Sequence, residues 1–77
     1  MAIKVLFFGV LAERAGCSER IYNDITDTNS LEMKVAEEIE GLKEYSYIIS
    51  VNREMTLENT ALNDGDEVAF LPPFAGG

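Results

Sequence analysis

The sequence predicts an α+β domain, a mixed sheet of four to five strands with one main helix packed across it. Three observations lead there. Short β-branched and aromatic runs recur along the chain, one interior segment has a helical period instead, and 77 residues leave room for a single core. A chain this short stabilises its core only marginally, and one helix laid over one sheet is the simplest way to bury these faces. With 47% hydrophobic residues the chain has enough apolar material to be globular.

Residues 3–8 (I-K-V-L-F-F) form the first strand, with Ile3, Val5 and Phe7 on one face and Lys4, Leu6 and Phe8 on the other. Both faces are largely apolar, which predicts a central strand covered on two sides. Residues 10–15 form a short helix closed by Gly16. Residues 19–26 alternate imperfectly and give a more exposed second strand, with Ile21 and Ile25 sharing a face. The main helix is expected to begin at Asn29 or Ser30, where Asn29 and Glu32 have capping-box spacing. Leu31, Val35, Ala36, Ile39 and Leu42 fall on its buried face, and Gly41 is placed to end it. Residues 47–51 (Y-I-I-S-V) form the third strand, 52–54 a polar turn, and Met55 and Leu57 a short edge strand. Asn63-Asp64-Gly65-Asp66 is the strongest turn signal in the chain. Residues 67–71 (E-V-A-F-L) form the last strand, which Pro72-Pro73 stops because neither ring nitrogen can donate to a ladder. The domain body is therefore 1–71 and an extended tail is 72–77.

Fourteen acidic against six basic side chains give a formal charge of −8. Nucleic acid is not an expected partner, because its phosphates would be repelled. The acidity suits a basic protein surface, and it equally serves solubility. There is no His and one Cys, so imidazole catalysis, Cys/His metal sites and an internal disulfide are all excluded. A single unpaired Cys fits the reducing cytoplasm. No apolar run approaches the ~20 residues that span a bilayer, and the N-terminus lacks a secretory pattern, so no membrane partner is expected.

Conventional catalytic groups are scarce. The serines have no His to activate them. Asp64 and Asp66 offer too few ligands for a cation cage, and turn chemistry already accounts for them. Cys17 lies near Glu19, Arg14 and Arg20 and reads as an incidental surface thiol rather than a persulfide carrier. The tail Pro72-Pro73-Phe74-Ala75-Gly76-Gly77 has a different character. Six extended residues reach ~20 Å, the prolines discourage folding back, and two glycines without Cβ let a narrow channel close around their backbone. A terminal carboxylate becomes an acyl donor once activated, for example as an acyl-adenylate, and then accepts sulfide as a thiocarboxylate.

If Ile3, Val5 and Phe7 face the helix, Leu6 and Phe8 point away from it. Neighbouring strands would place Ala69 and Leu71 beside Phe8, and Met55 could join them from the edge. Such a patch is either a docking surface or part of a core wrapped round both faces.

Taken together, I-K-V-L-F-F at 3–8, V-N at 51–52, L-N-D-G-D-E-V-A-F-L-P-P at 62–73 and the final G-G resemble the small subunit of molybdopterin synthase, the MoaD family of sulfur carriers. The resemblance spans essentially the whole chain and implies a ubiquitin-like β-grasp fold. It further implies that an E1-like adenylating enzyme activates Gly77 with ATP and that a sulfur donor converts the adenylate to a thiocarboxylate. A large catalytic subunit then passes the sulfur to a cyclic pyranopterin precursor, so this chain is a co-substrate that binds no cofactor itself. By position, Phe8, Met55 and Leu71 match the family's docking surface, and Phe74, Ala75, Gly76 and Gly77 match its inserted tail. Leu71 stands where an aromatic residue is common, and the segment between helix and third strand is short. Related carriers for thiamine synthesis or tRNA thiolation, and ubiquitin-like protein modifiers, are the alternatives.

Overall fold

A computed structural model of the chain describes residues 2–73. Its elements run β1 (Ala2–Phe7), α1 (Val10–Ala15), β2 (Glu19–Asn23), α2 (Thr28–Glu38), a 3-10 turn (Leu42–Glu44), β3 (Ile48–Val51), β4 (Glu54–Thr56) and β5 (Glu67–Leu71). The strands form one sheet in the order β2-β1-β5-β3-β4. β1 and β5 pair in parallel and every other pair is antiparallel. A mixed sheet with one long helix across it is the β-grasp arrangement expected from the sequence.

Period-two alternation sets the core. Val5 sits opposite Val68 and Phe7 opposite Phe70, with Ile49 across from Phe70 on the far side. These residues are buried together with Leu11 of α1 and Leu31 and Val35 of α2. Phe70 is the hub, its ring 5.4 Å from that of Phe7 and 5.0 Å from that of Tyr47, both tilted as aromatic pairs prefer. The Tyr47 hydroxyl donates to Glu32 of α2 at 2.9 Å, tying helix to sheet.

Five local expectations need correction. The helix starts one turn-position earlier than Asn29 because Asp27 is the cap, its carboxylate accepting from the Ser30 amide at 2.8 Å. That hydrogen bond holds the Asp27 carboxyl below the usual carboxylate range. Asn29 lies inside the first turn, where its amide donates instead to Asn59 Oδ1 at 2.9 Å. Helix α2 also ends at Glu38 rather than at Gly41. Ile39 turns extended and enters the core, and Leu42 follows it there from the 3-10 turn. Gly41 has φ 81°, and a Cβ at that position would meet the Arg14 guanidinium at 2.7 Å while Arg14 Nε donates to the Glu40 carbonyl at 2.9 Å. In β2 the buried residue is Tyr22, not Ile21, which is exposed; Ile25 is buried beyond the end of the strand. Tyr22 keeps its ring in the core and extends its hydroxyl to Glu38 at 2.7 Å. Finally, β1 is an interior strand but only one of its faces is covered, with Lys4 and Phe8 exposed on the other. Leu57 likewise lies outside β4 and is exposed.

Among the described residues no helix is long and apolar enough to cross a membrane.

Candidate functional site

The open face of the sheet gathers the side chains that point away from α2. Register places Leu6 beside Ala69, Ala69 beside Ser50 and Ser50 beside Met55, an unbroken row across four strands. A second row follows from the pairing of Ile48 with Leu71. Phe8 lies at the end of β1, where its amide donates to the Phe70 carbonyl at 3.2 Å. The three residues singled out from the sequence, Phe8, Met55 and Leu71, come together here. They line one open depression of about 510 Å³ with Ile48, Pro72 and Pro73. They also line an adjoining one of about 420 Å³ that adds Leu6, Ser50, Arg53, Glu67 and Ala69. Met55 is 70% exposed and Phe8 44%, so two large apolar side chains meet solvent on one patch.

This patch adjoins the base of the tail. Parallel pairing brings the C-terminal ends of β1 and β5 to the same end of the sheet, so Pro72 leaves β5 beside Gly9. Gly9 has φ 57°, and a Cβ there would meet Pro72 Cγ at 3.0 Å. The glycine thus permits both the entry into α1 and the close approach of the proline. Phe74, Ala75, Gly76 and Gly77 lie outside the described residues.

The other sequence candidates are occupied with structure. Asp64 accepts from the Ala2 amide at 2.6 Å, and Asp66 accepts from the Asn63 amide at 2.8 Å and from Asn52 Nδ2 at 3.1 Å. These bonds hold the Asp66 carboxyl below its ordinary range and clamp the turn to β1 and to the β3–β4 hairpin. Cys17 is half-buried and packed against the core, a correction to its reading as a surface thiol. Its Sγ accepts from Arg20 Nε at 3.2 Å, and the same guanidinium donates to Glu38 at 3.0 Å and to the Ala15 carbonyl at 3.0 Å. Among the described residues no group of three or more acidic or Cys side chains is placed to hold a metal. Sequence reasoning missed Arg53, which stands at the rim of the open face; the only local signal was its place in a two-residue link between strands.

The profile of the ThiS family matches residues 5–77, nearly the full chain. The chain belongs to the ThiS family. Within it, the chain is 32% identical over 80 residues to the molybdopterin synthase sulfur carrier subunit of Escherichia coli, covering 97% of this chain and 99% of that one. A solved complex of subunits 1 and 2 of the molybdopterin-converting factor from Helicobacter pylori contains a chain 32% identical to this one. It superposes with a TM-score of 0.75 and full coverage of both chains. A molybdopterin converting factor subunit 1 from Pyrococcus furiosus, described as putative, matches at TM-score 0.86 and 23% identity over 96% of this chain and 99% of that one, a likeness of fold. The ThiS-family match thus includes both the open face and the diglycine end.

Proposed function

We propose that the chain is the sulfur-carrier subunit of a molybdopterin synthase and that the carboxylate of Gly77 is its working group. One observation carries the reading: a family match that runs through residue 77 coincides with an exposed apolar patch at the point where the tail leaves the sheet. A partner seated on Phe8, Met55 and Leu71 receives the tail residues Phe74, Ala75, Gly76 and Gly77 in its own active site. The patch supplies the binding energy, and the slim tail supplies the reacting atom.

The chemistry belongs to the partners. In the E1-like adenylating enzyme a Gly77 carboxylate oxygen attacks the α-phosphorus of ATP, and pyrophosphate leaves. Sulfide-level sulfur from a donor then attacks the acyl carbon and AMP leaves, giving the thiocarboxylate. In the large catalytic subunit the thiocarboxylate sulfur displaces an oxygen substituent from a carbon of the pyranopterin precursor. Water then cleaves the resulting thioester, leaving the sulfur on the precursor and the carrier as carboxylate. Each loaded chain delivers one sulfur, so a dithiolene consumes two. This chain is a co-substrate, holding no cofactor of its own.

Intact mass spectrometry after incubation with ATP, the adenylating enzyme and a sulfur source tests the proposal. The expected gain equals the mass difference between one sulfur and one oxygen atom. It should vanish when Gly77 is deleted and persist in Cys17→Ser. An unchanged wild-type mass beside an adenylating enzyme that loads another carrier would defeat the reading. Loading lost in a folded Cys17→Ser variant would move the cargo to the thiol.

A further inference from the structure

Among the described residues, Arg53 is the one cation of the open face whose charge is left without a partner. The other, Lys4, pairs with Glu19 at 3.7 Å. On the helix side Arg14 donates to the Glu40 backbone carbonyl and Arg20 pairs with the Glu38 carboxylate, while Lys34 and Lys43 belong to α2 and the 3-10 turn. Arg53 makes no hydrogen bond or ion pair with any side chain among the described residues, although Glu67 lines the same depression. A guanidinium on an apolar patch, in a chain of charge −8, is not placed there by general composition.

Its position is fixed by the backbone. Val51 and Glu54 pair directly, so Asn52 and Arg53 are the two residues of a tight hairpin, with φ 49° and 72°. Positive φ at both positions is what such a turn requires. Asn ordinarily tolerates it, whereas Arg in that conformation is uncommon. Asn52 is held at three points: its amide donates to the Glu67 carbonyl at 2.7 Å, its Oδ1 accepts from the Glu67 amide at 3.0 Å, and its Nδ2 donates to Asp66. The backbone of the turn is thereby anchored to the central strand β5, and Arg53 lines the same depression as Met55.

We infer that Arg53 is a specificity determinant of the docking face, and that the protein covering this face presents a carboxylate to it. The inference rests on the docking role of Phe8, Met55 and Leu71 proposed above. It predicts a sign that general electrostatics does not. If the partner is simply basic, making this acidic chain more acidic strengthens attraction at every position. If a carboxylate faces Arg53, reversal at that position weakens binding while reversal elsewhere does not.

The test measures the Kd of the large synthase subunit from the same genome for the wild type and for Arg53→Glu, Arg53→Gln, Arg53→Lys, Lys34→Glu and Met55→Asp, at low and at high salt. Arg53→Glu should weaken binding on the order of tenfold at low salt and Arg53→Gln by roughly threefold, as expected for a rim charge pair. Arg53→Lys should recover most of the affinity, Lys34→Glu should leave it unchanged or tighter, and the Arg53 effects should shrink in high salt. Binding by Arg53→Glu equal to or tighter than wild type, with Met55→Asp weakened, overturns the inference while leaving the docking face standing. If Met55→Asp also binds as wild type, the docking face itself fails, and the role of Arg53 with it. Should Arg53→Glu not fold, Arg53→Gln against Arg53→Lys decides the same question.

Discussion

Phe7 and Phe8 are adjacent, identical in chemistry, and opposite in fate. Phe7 is 2% exposed, its ring tilted against that of Phe70 under α2, while Phe8 is 44% exposed on the other side of the sheet. The same contrast runs along β5, where Val68 and Phe70 are sealed and Leu71 is only half-buried. One face of the sheet spends its hydrophobicity on folding. The other leaves Phe8 and Met55 open to solvent, as the docking role proposed above requires. The difference lies in which face the helix covers rather than in the residues, since alternation alone divides them.

The largest expected effect tests the sealed side. Phe70→Ala should cost about 3–5 kcal/mol in urea unfolding, because it removes the hub of the core and leaves a cavity. That is a large share of the stability of so short a chain. Phe8→Ala should change unfolding by less than about 0.5 kcal/mol yet weaken capture of the large subunit measurably by calorimetry. Equal stability losses in the two variants would mean that the open face is core after all, and the contrast would disappear.

The two faces were not equally legible in the sequence. β1 and β5 were readable because each is a short β-branched and aromatic run, and the Pro-Pro stop marked where β5 ends. Which faces stay uncovered depends on strand order, and no local pattern in I-K-V-L-F-F carries it. Hence β1 was expected to be covered twice. The start of α2 was misplaced because Asp27 and Asn29 both offer cap chemistry; the choice is made by Asn59, thirty positions away, which takes the Asn29 amide. Ile21 outranks Tyr22 on hydrophobicity alone, but Tyr22 can bury its ring while its hydroxyl reaches Glu38 and Arg20. Of the candidate site, Phe8, Met55 and Leu71 were found by combining alternation with family resemblance. Arg53 was not, since its significance comes from a positive φ and from the neighbours it lacks.

A smaller effect should appear where the faces meet the tail. Gly9→Ala forces a Cβ into the space of Pro72 at a positive φ, which should cost about 1–3 kcal/mol. Because Pro72 lines the open depression, the same variant should weaken partner binding beyond what lost stability explains. If binding is unaffected once unfolding is corrected for, the base of the tail is not held by this contact.

The smallest effect separates the faces by pH. Burial, reinforced by the hydrogen bond to Glu32, pushes the Tyr47 phenol up to about 12. Burial likewise raises Tyr22, with Arg20 opposing and Glu38 assisting. Both phenols belong to the helix-covered side. A tyrosine titrates near 10 when unfolded, so the folded state favours the neutral form. The stabilisation is complete below pH 10 and is lost as pH rises towards 12. Tyr47→Phe should cost about 1 kcal/mol at pH 7 through the lost hydrogen bond and should flatten the decline between pH 10 and 12 relative to wild type. It should leave affinity for the large subunit at neutral pH unchanged, because its hydroxyl faces α2. An unaltered alkaline slope in Tyr47→Phe would place the pH-sensitive fastening elsewhere, with Tyr22 the other phenol that burial raises.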